Sequence, residues 1–168
     1  VLFVGGFLAF TIACGPSAHA LLMSGPDIIS PPSSVIDNPP GAVNTHQQAF
    51  NEIQNLVLPR DIITDQGIIQ AGTLVSSHMI FLNTLGGTRA SDAQTWGFDN
   101  LILGVMSNGN GSREINTSDI LGSSATAYPT SPFGARGLEN NDSYTFLSDE
   151  ITVTMTVTEP GDWIRVLT

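Results

Sequence analysis

The sequence predicts an all-β fold, a jelly-roll-like antiparallel β-sandwich with little helix. Apolar and polar residues alternate along several short segments, and residues typical of turns separate these segments. No segment carries the apolar face of a three-turn helix. At 168 residues the chain has the length of one domain. We divide it into residues 1–20, which are treated next, a Pro-rich extended lead-in at 21–45, and a single sandwich domain at 46–168.

The first twenty residues have the features of a secretory signal peptide. Residues 1–14 are mostly apolar and uncharged, but too few to span a bilayer, which takes about 20 residues. A helix-breaking Gly-Pro pair follows, and Ala18 and Ala20 supply the small side chains that a signal peptidase requires. We expect cleavage after Ala20 and export to the periplasm, the cell surface or the medium. Because the initial Met and a basic segment are missing, we interpret the sequence as starting inside the signal.

Two alternatives stay open for this segment. Thr11 to Cys14 loosely resembles a lipoprotein box in which Cys14 is lipidated, although Thr11 stands where Leu is preferred. The second alternative is that this segment is not a signal and forms a buried N-terminal strand or helix. Cleavage after Ala20 removes the only cysteine, so the mature chain would fold without disulfides.

The lead-in contains five of the ten prolines, which favour extended backbone and weaken sheet pairing. Its apolar pairs, Ile28-Ile29 and Val35-Ile36, are expected along a sheet edge. Beyond it, only residues 47–55 and 118–121 have short helical patterns. Runs rich in glycine and in Asp, Asn or Gln, such as those at 65–67 and 108–111, predict turns.

The strands follow from period-two alternation. Residues 73–83 are apolar on both faces in their second half, which predicts a central strand buried on both sides, and residues 96–106 are similar. In residues 151–158 four apolar side chains alternate with four threonines, so the threonines are predicted to face solvent. Residues 163–167 form a further strand. The Glu-Pro-Gly-Asp run at 159–162 predicts a turn that joins the last two strands as an antiparallel hairpin.

Charge excludes two classes of partner. The chain has 15 acidic residues against five basic ones, all arginine, and a net charge of −10. Such a surface repels nucleic acid and anionic lipid. We expect no stable membrane span in the mature chain. Extracellular polysaccharide or other surface proteins are the partners that fit.

No catalytic constellation is visible. The nucleophile motif G-x-S-x-G is absent. His78 lies inside a predicted strand, which favours a half-buried histidine with satisfied hydrogen bonds, and His46 is expected at the surface. The acidic pairs Asp149-Glu150 and Asp61/Asp65 are typical of solvated turns. The prediction is therefore a non-enzymatic protein, with a secreted hydrolase as second alternative.

The aromatic residues leave a carbohydrate-binding module as the first alternative. Trp96, Trp163, Tyr128 and Tyr144 are the side chains that would stack on sugar rings. The mature chain has few aromatics for a sandwich core, so we expect buried anchors instead.

Calcium is the one metal that the sequence allows. No two histidines have ligand spacing, and a mature chain without cysteine lacks thiolate ligands for transition metals. Side-chain oxygens, which calcium prefers, occur in one loop at Asn108, Asn110 and Glu114 and in another at Glu139 and Asp142. Both runs are also typical of plain turns, which is our first interpretation. No other cofactor is indicated.

An ordered series of short motifs resembles a known group. They are Asp37-Asn38-Pro39-Pro40-Gly41-Ala42, Ala49-Phe50-Asn51-Glu52, Ile69-Gln70-Ala71-Gly72-Thr73, Ser77-His78-Met79-Ile80-Phe81-Leu82-Asn83, 98–106, 138–144 and 158–165. Together they resemble secreted bacterial proteins with a PEP-CTERM sorting tail. The resemblance implies export and handling by an exosortase in Gram-negative bacteria that make extracellular polysaccharide. The chain departs from the pattern at its end, because it reaches Thr168 without the Pro-Glu-Pro motif, apolar span and basic cluster of such a tail. The expected function is that of a non-enzymatic cell-surface or matrix protein.

Overall fold

The computed structural model describes residues 20–36, 43–132, 136–158 and 161–168. These residues form twelve strands and one helix: β1 (Leu22–Ser24), β2 (Gln48–Asn51), β3 (Leu56–Val57), β4 (Ile62–Thr64), β5 (Gly67–Ile69), β6 (Leu74–Val75), β7 (Ser77–Leu82), β8 (Ala90–Phe98), β9 (Gly104–Met106), α1 (Ser112–Leu121), β10 (Ser143–Leu147), β11 (Glu150–Val157) and β12 (Asp162–Leu167). The predicted signal, with Cys14 and Ala18, lies outside the described residues, as does the Asp37–Ala42 motif. Ala20 is described and is buried.

Two four-stranded sheets form the frame. Sheet A has the strand order β1-β8-β11-β10, and sheet B has the order β2-β7-β12-β9. Two small sheets, β3-β6 and β4-β5, complete the described part of the fold. All strand pairs are antiparallel. The prediction of an all-β antiparallel sandwich is confirmed. No helix among the described residues has the length and hydropathy of a bilayer span.

Sheet B is the middle layer of the molecule. Its face toward sheet A packs Ile80 and Ile164 against Trp96 and Val153 of sheet A. Its other face is covered by the lead-in and α1, where Trp163 belongs to a separate apolar cluster. Every residue of β7 and β12 is consequently buried. The prediction of a central strand buried on both faces is confirmed for β7.

Strand β11 also follows its pattern. Ile151, Val153 and Met155 are buried, whereas its threonines are exposed or half-buried on the solvent face. Thr152 lies opposite Thr95, and their hydroxyl oxygens are 2.8 Å apart. The alternation of apolar residues and threonines therefore identified the buried face of this strand correctly.

The lead-in packs closely onto both sheets. Strand β1 pairs with β8, and Ile28 forms a bridge with Ala49 on β2, at the expected sheet edge. Val35 is buried. Gly25 has a φ of 157°, and a Cβ there would lie 2.1 Å from the Trp96 ring. This position accordingly requires glycine.

The predicted hairpin of the last two strands is wrong. Strand β11 pairs with β8 and β10, whereas β12 pairs with β7 and β9. The chain therefore passes from sheet A to sheet B between them, and residues 159–160 lie outside the described part. Turn residues identify a reversal, but they do not specify which sheet the next strand joins.

The helical predictions also need correction. Residues 48–51 of the segment 47–55 form β2, an outer strand of sheet B. Residues 118–121 are helical, but as the end of the ten-residue α1. The helix escaped detection because its buried positions include Glu114 and Thr117 alongside Leu121, so it carries no regular apolar stripe.

A buried ion pair connects sheet B with α1. Arg165 on β12 and Glu52, just after β2, have fully buried side chains. Nε of Arg165 donates to Oε2 of Glu52 over 2.6 Å, and Nη2 donates to Oε1 over 2.8 Å. Nη1 also donates to the Glu114 carbonyl oxygen over 2.6 Å and to the Thr117 hydroxyl over 2.7 Å. One guanidinium thus holds β2, β12 and α1 together.

Loss of this guanidinium should be strongly destabilising. We expect Arg165→Met to lower the free energy of unfolding by about 3–5 kcal/mol, because Glu52 is left charged and buried without its partner. The double variant Glu52→Leu/Arg165→Met should recover part of that loss. Urea unfolding measures both. Arg60→Met, which breaks an exposed pair with Asp119, is the matched control and should cost less than about 1 kcal/mol. Equal costs for the two arginines would contradict the expectation.

Candidate metal centre

Three carboxylates meet at one end of the sandwich. Glu139 and Asp142 precede β10 of sheet A, and Asp162 begins β12 of sheet B. One ligand oxygen from each residue lies within 4.8 Å of the others. We call these three residues the carboxylate cluster. It spans the two sheets, and two of its members are calcium candidates from the sequence.

The turn before β10 fixes Asp142. The N–H of Asp142 donates to the carbonyl of Glu139 over 2.9 Å, and Oδ2 of Asp142 accepts the Glu139 N–H over 3.0 Å. Oδ1 accepts the N–H of Thr156 on β11 over 2.6 Å. Asn140 between them has a φ of 52°, which asparagine tolerates. The expected turn is present, and its geometry orients the Asp142 carboxylate.

Asp162 is the buried member of the cluster. It is only 3% exposed, and its Oδ2 has no hydrogen-bond partner among the described residues. Oε2 of Glu139 is unpartnered in the same way. A buried carboxylate oxygen without a donor is costly, so it requires a proton or a cation.

Burial and the neighbouring carboxylates also raise pKa values within the cluster. Burial, together with the neighbouring charges of Asp142 and Glu139, raises the pKa of Asp162 to about 9, against a lowering by Arg136. Burial and the charge of Asp142 also raise the pKa of Glu139. The guanidinium of Arg136 stacks over the Trp163 ring at 4.9 Å and donates to the Val35 carbonyl over 2.6 Å. For Asp162, burial and the repulsion of the neighbouring carboxylates therefore outweigh the favourable effect of the Arg136 charge.

The cluster fits a calcium ion. Calcium takes about six to eight oxygens at about 2.3–2.6 Å, so two ligand oxygens on one ion lie at most about 5 Å apart. The separations in the cluster fall within that limit. A divalent charge would offset the mutual repulsion of the carboxylates and supply a partner for the unpaired oxygens.

The structure gives the other predicted loop a different role. Asn108 accepts the Arg113 N–H over 3.0 Å and donates to Asn110 over 2.5 Å. Asn110 in turn accepts the Ser112 N–H over 3.1 Å. These contacts order the start of α1. Glu114 lies within the helix, with its carboxyl group buried.

The histidines lie as follows. His78 is fully buried, with Nδ1 2.7 Å from Oδ1 of Asn51 and Nε2 3.0 Å from the Thr168 hydroxyl. Burial lowers its pKa to about 3. The prediction of a satisfied histidine is confirmed, with burial complete rather than partial. His46 is exposed, as predicted, and lies 3.1 Å from the Asp27 carboxylate.

The tryptophans are buried anchors, as predicted. Trp96 and Trp163 are 0% and 2% exposed, so neither ring presents a face for stacking. Tyr144 is half-buried, and its hydroxyl donates to Asp65 over 2.9 Å.

Sequence reasoning did not place Asp162 in the metal site. It was expected only as a turn residue, 20 or more positions from the other two carboxylates in the chain. No local pattern signals its role, because its position depends on sheet B packing against sheet A.

Comparison with protein-family models, curated proteins and solved structures yields no match.

Glu114 should make stability depend on pH. Burial raises its pKa to about 7 from 4.5, and neither carboxyl oxygen has a hydrogen-bond partner in the described part of the chain. The folded state therefore holds an extra proton between these two pKa values, and this contribution to stability is lost as pH rises through about 7. Glu114→Gln removes the effect. Relative to wild type, the variant should gain on the order of 3 kcal/mol between about pH 4 and pH 8.

Urea unfolding at the two pH values measures this gain. Glu150→Gln, at an exposed position, is the control. Its difference from wild type in the free energy of unfolding should be nearly the same at the two pH values. A constant difference between Glu114→Gln and wild type would contradict the expectation.

Proposed function

We propose that this chain is an exported, non-enzymatic β-sandwich protein of the cell surface or extracellular matrix, and that it binds calcium in its carboxylate cluster. The observation that carries the proposal is the unpartnered oxygen of Asp162, buried beside two further carboxylates at the junction of the sheets. Such an oxygen needs a proton or a cation, and the two further carboxylates beside it favour a divalent cation.

Calcium would act as a clamp between the sheets. Glu139 and Asp142 belong to the turn that opens sheet A's edge strand, and Asp162 opens a central strand of sheet B. An ion shared by all three binds only when the two sheets are packed. It therefore stabilises the folded state by RT ln(1 + [L]/Kd). Extracellular modules commonly bind calcium at about 10⁻⁴–10⁻³ M.

Three features support export. The sequence of residues 1–20 is typical of a signal peptide. The N–H of Leu21 donates to Oδ1 of Asp99 over 2.5 Å. Cleavage after Ala20 would turn that nitrogen into a charged amino group already placed against a carboxylate, which strengthens the contact. The resemblance to proteins with PEP-CTERM tails agrees with export.

The hydrogen bonds of His78 argue against a catalytic role for this histidine. A general base requires an orienting carboxylate and access to substrate. His78 is buried and bonds instead to an amide and a hydroxyl. The burial of Trp96 and Trp163 likewise argues against a carbohydrate module that stacks sugars on tryptophan.

Calcium should raise the melting temperature. At a concentration tenfold above Kd the expected stabilisation is about 1.4 kcal/mol, which corresponds to a rise of about 3–6 °C for a domain of this size. Scanning calorimetry of EDTA-treated protein with and without calcium measures it. Magnesium at matched ionic strength should give a smaller rise.

Asp162→Asn separates a metal site from general screening. This variant should lose the calcium response. Without calcium it should melt close to wild type near neutral pH, because the raised pKa of about 9 keeps the Asp162 carboxyl protonated there. Asp119→Asn, at an exposed carboxylate, should keep the response. Identical melting temperatures with and without calcium, or an equal effect of magnesium, would sink the proposal.

Export predicts a defined mature terminus. Expression of the complete gene in a Gram-negative host should yield a periplasmic or extracellular protein whose sequence starts at Leu21. Ala18→Leu should block processing, because the peptidase pocket takes small side chains. Protein that stays unprocessed in the cytoplasm would contradict export, and a lipid-modified Cys14 would select the lipoprotein alternative.

A further inference from the structure

An open cleft of about 160 Å³ adjoins the carboxylate cluster. Two of the three cluster residues form part of its wall. The rest of the wall is Arg89, Asn140, Asn141, Thr156 and Thr158. The cleft therefore combines one guanidinium with amides and hydroxyls, beside the place where a cation fits.

Arg89 differs from the other arginines. Arg60, Arg113 and Arg165 each pair with a carboxylate, and Arg136 stacks on a tryptophan. Arg89 is exposed and has no ion pair or hydrogen bond within the described residues, although the chain has 15 acidic side chains. A guanidinium presents parallel N–H donors that match a carboxylate. Arg89 lines the cleft, where an acidic ligand would find its counter-charge.

A cation in the cluster would add a second anchor. Three carboxylates do not fill the about six to eight positions of calcium. Both oxygens of Asp142 already accept backbone hydrogen bonds, which disfavours bidentate coordination by this residue. Open positions on the side of the cleft would take oxygens from a ligand. The ion and the guanidinium would then bind one carboxylate from two sides.

The sheet surface beyond the cleft offers hydroxyls. Thr156 in the cleft wall belongs to the solvent face of β11, where Thr152 and Thr154 continue the row. The hydroxyl of Thr156 is 2.9 Å from that of Ser91 on β8. Small hydroxyl side chains pair readily with hydroxyl groups of a ligand. The combination of a carboxylate anchor and a hydroxyl-lined face matches an acidic sugar.

We infer that Arg89 and a calcium ion in the carboxylate cluster together bind a uronic acid residue of an extracellular polysaccharide. The uronate carboxylate lies between the ion and the guanidinium, and the sugar hydroxyls face Asn140, Asn141 and the threonine row. This inference rests on the proposed calcium binding. It names the ligand of the same site and requires no stacking on tryptophan.

Calorimetric titration with a galacturonic acid trisaccharide tests the inference. The protein is kept at saturating, buffered free calcium, and the neutral galactose trisaccharide serves as the matched ligand. We expect binding of the acidic sugar only, lost in EDTA. Arg89→Gln should weaken it by at least about tenfold, because the variant loses a charge-assisted pair with the carboxylate. Arg60→Gln should bind like wild type.

Calcium titration in the absence of sugar separates the two proposals. Arg89→Gln should not weaken calcium binding, because the change removes a positive charge beside the cation. Normal calcium binding without any binding of the acidic trisaccharide overturns this inference alone. Equal binding of the neutral sugar, or undiminished binding in EDTA or in Arg89→Gln, also overturns it. Absence of calcium binding overturns this inference together with the proposed function.

Discussion

The ion pair of Arg165 and Glu52 is the interaction on which the arrangement of the layers depends. A charge pair without exposed surface loses its hydration, and only good geometry with further hydrogen bonds offsets that loss. Arg165 has both: two bonds to Glu52 and additional bonds to the Glu114 carbonyl and the Thr117 hydroxyl of α1. The helix and the end of β2 must therefore lie where the guanidinium reaches them. This requirement explains why polar groups of α1, the Glu114 carbonyl and the Thr117 hydroxyl, lie over an otherwise apolar face of sheet B.

The same strand connects the ion pair to the carboxylate cluster. Successive side chains of a strand point to opposite faces, so Arg165 and Trp163 face the outer layer while Ile164 and Asp162 face sheet A. A slip of one residue would exchange the two sets. The contacts of Arg165 thus help to set the register that brings Asp162 to the turn before β10. Structural and proposed functional residues share one strand, and neither set can shift alone.

Three buried acidic side chains have three different environments. Glu52 is paired with an arginine. The carboxyl group of Glu114 has no hydrogen-bond partner in the described residues, and its raised pKa allows it to hold a proton near neutrality. Asp162 lies among other carboxylates, where a divalent ion would serve all three at once. The chain has 15 acidic residues and five arginines, and Arg89 stands out because it has no ion pair within the described residues and lines the cleft beside that cluster.

The sequence alone determined the β class, the buried face of β11, the two-sided burial of β7 and the structural roles of His78 and the tryptophans. These features are local, because alternation and side-chain chemistry are set by neighbours in the chain. It also placed Glu139 and Asp142 in an oxygen-rich turn. Only the tertiary structure decided that β12 joins sheet B and does not pair with β11. It also decided that residues 112–121 form a helix that accepts hydrogen bonds from Arg165, and that Asp162 completes the carboxylate cluster. Strand partners and distant carboxylates are selected by the packing of one sheet on another, and no local stretch of sequence contains that information.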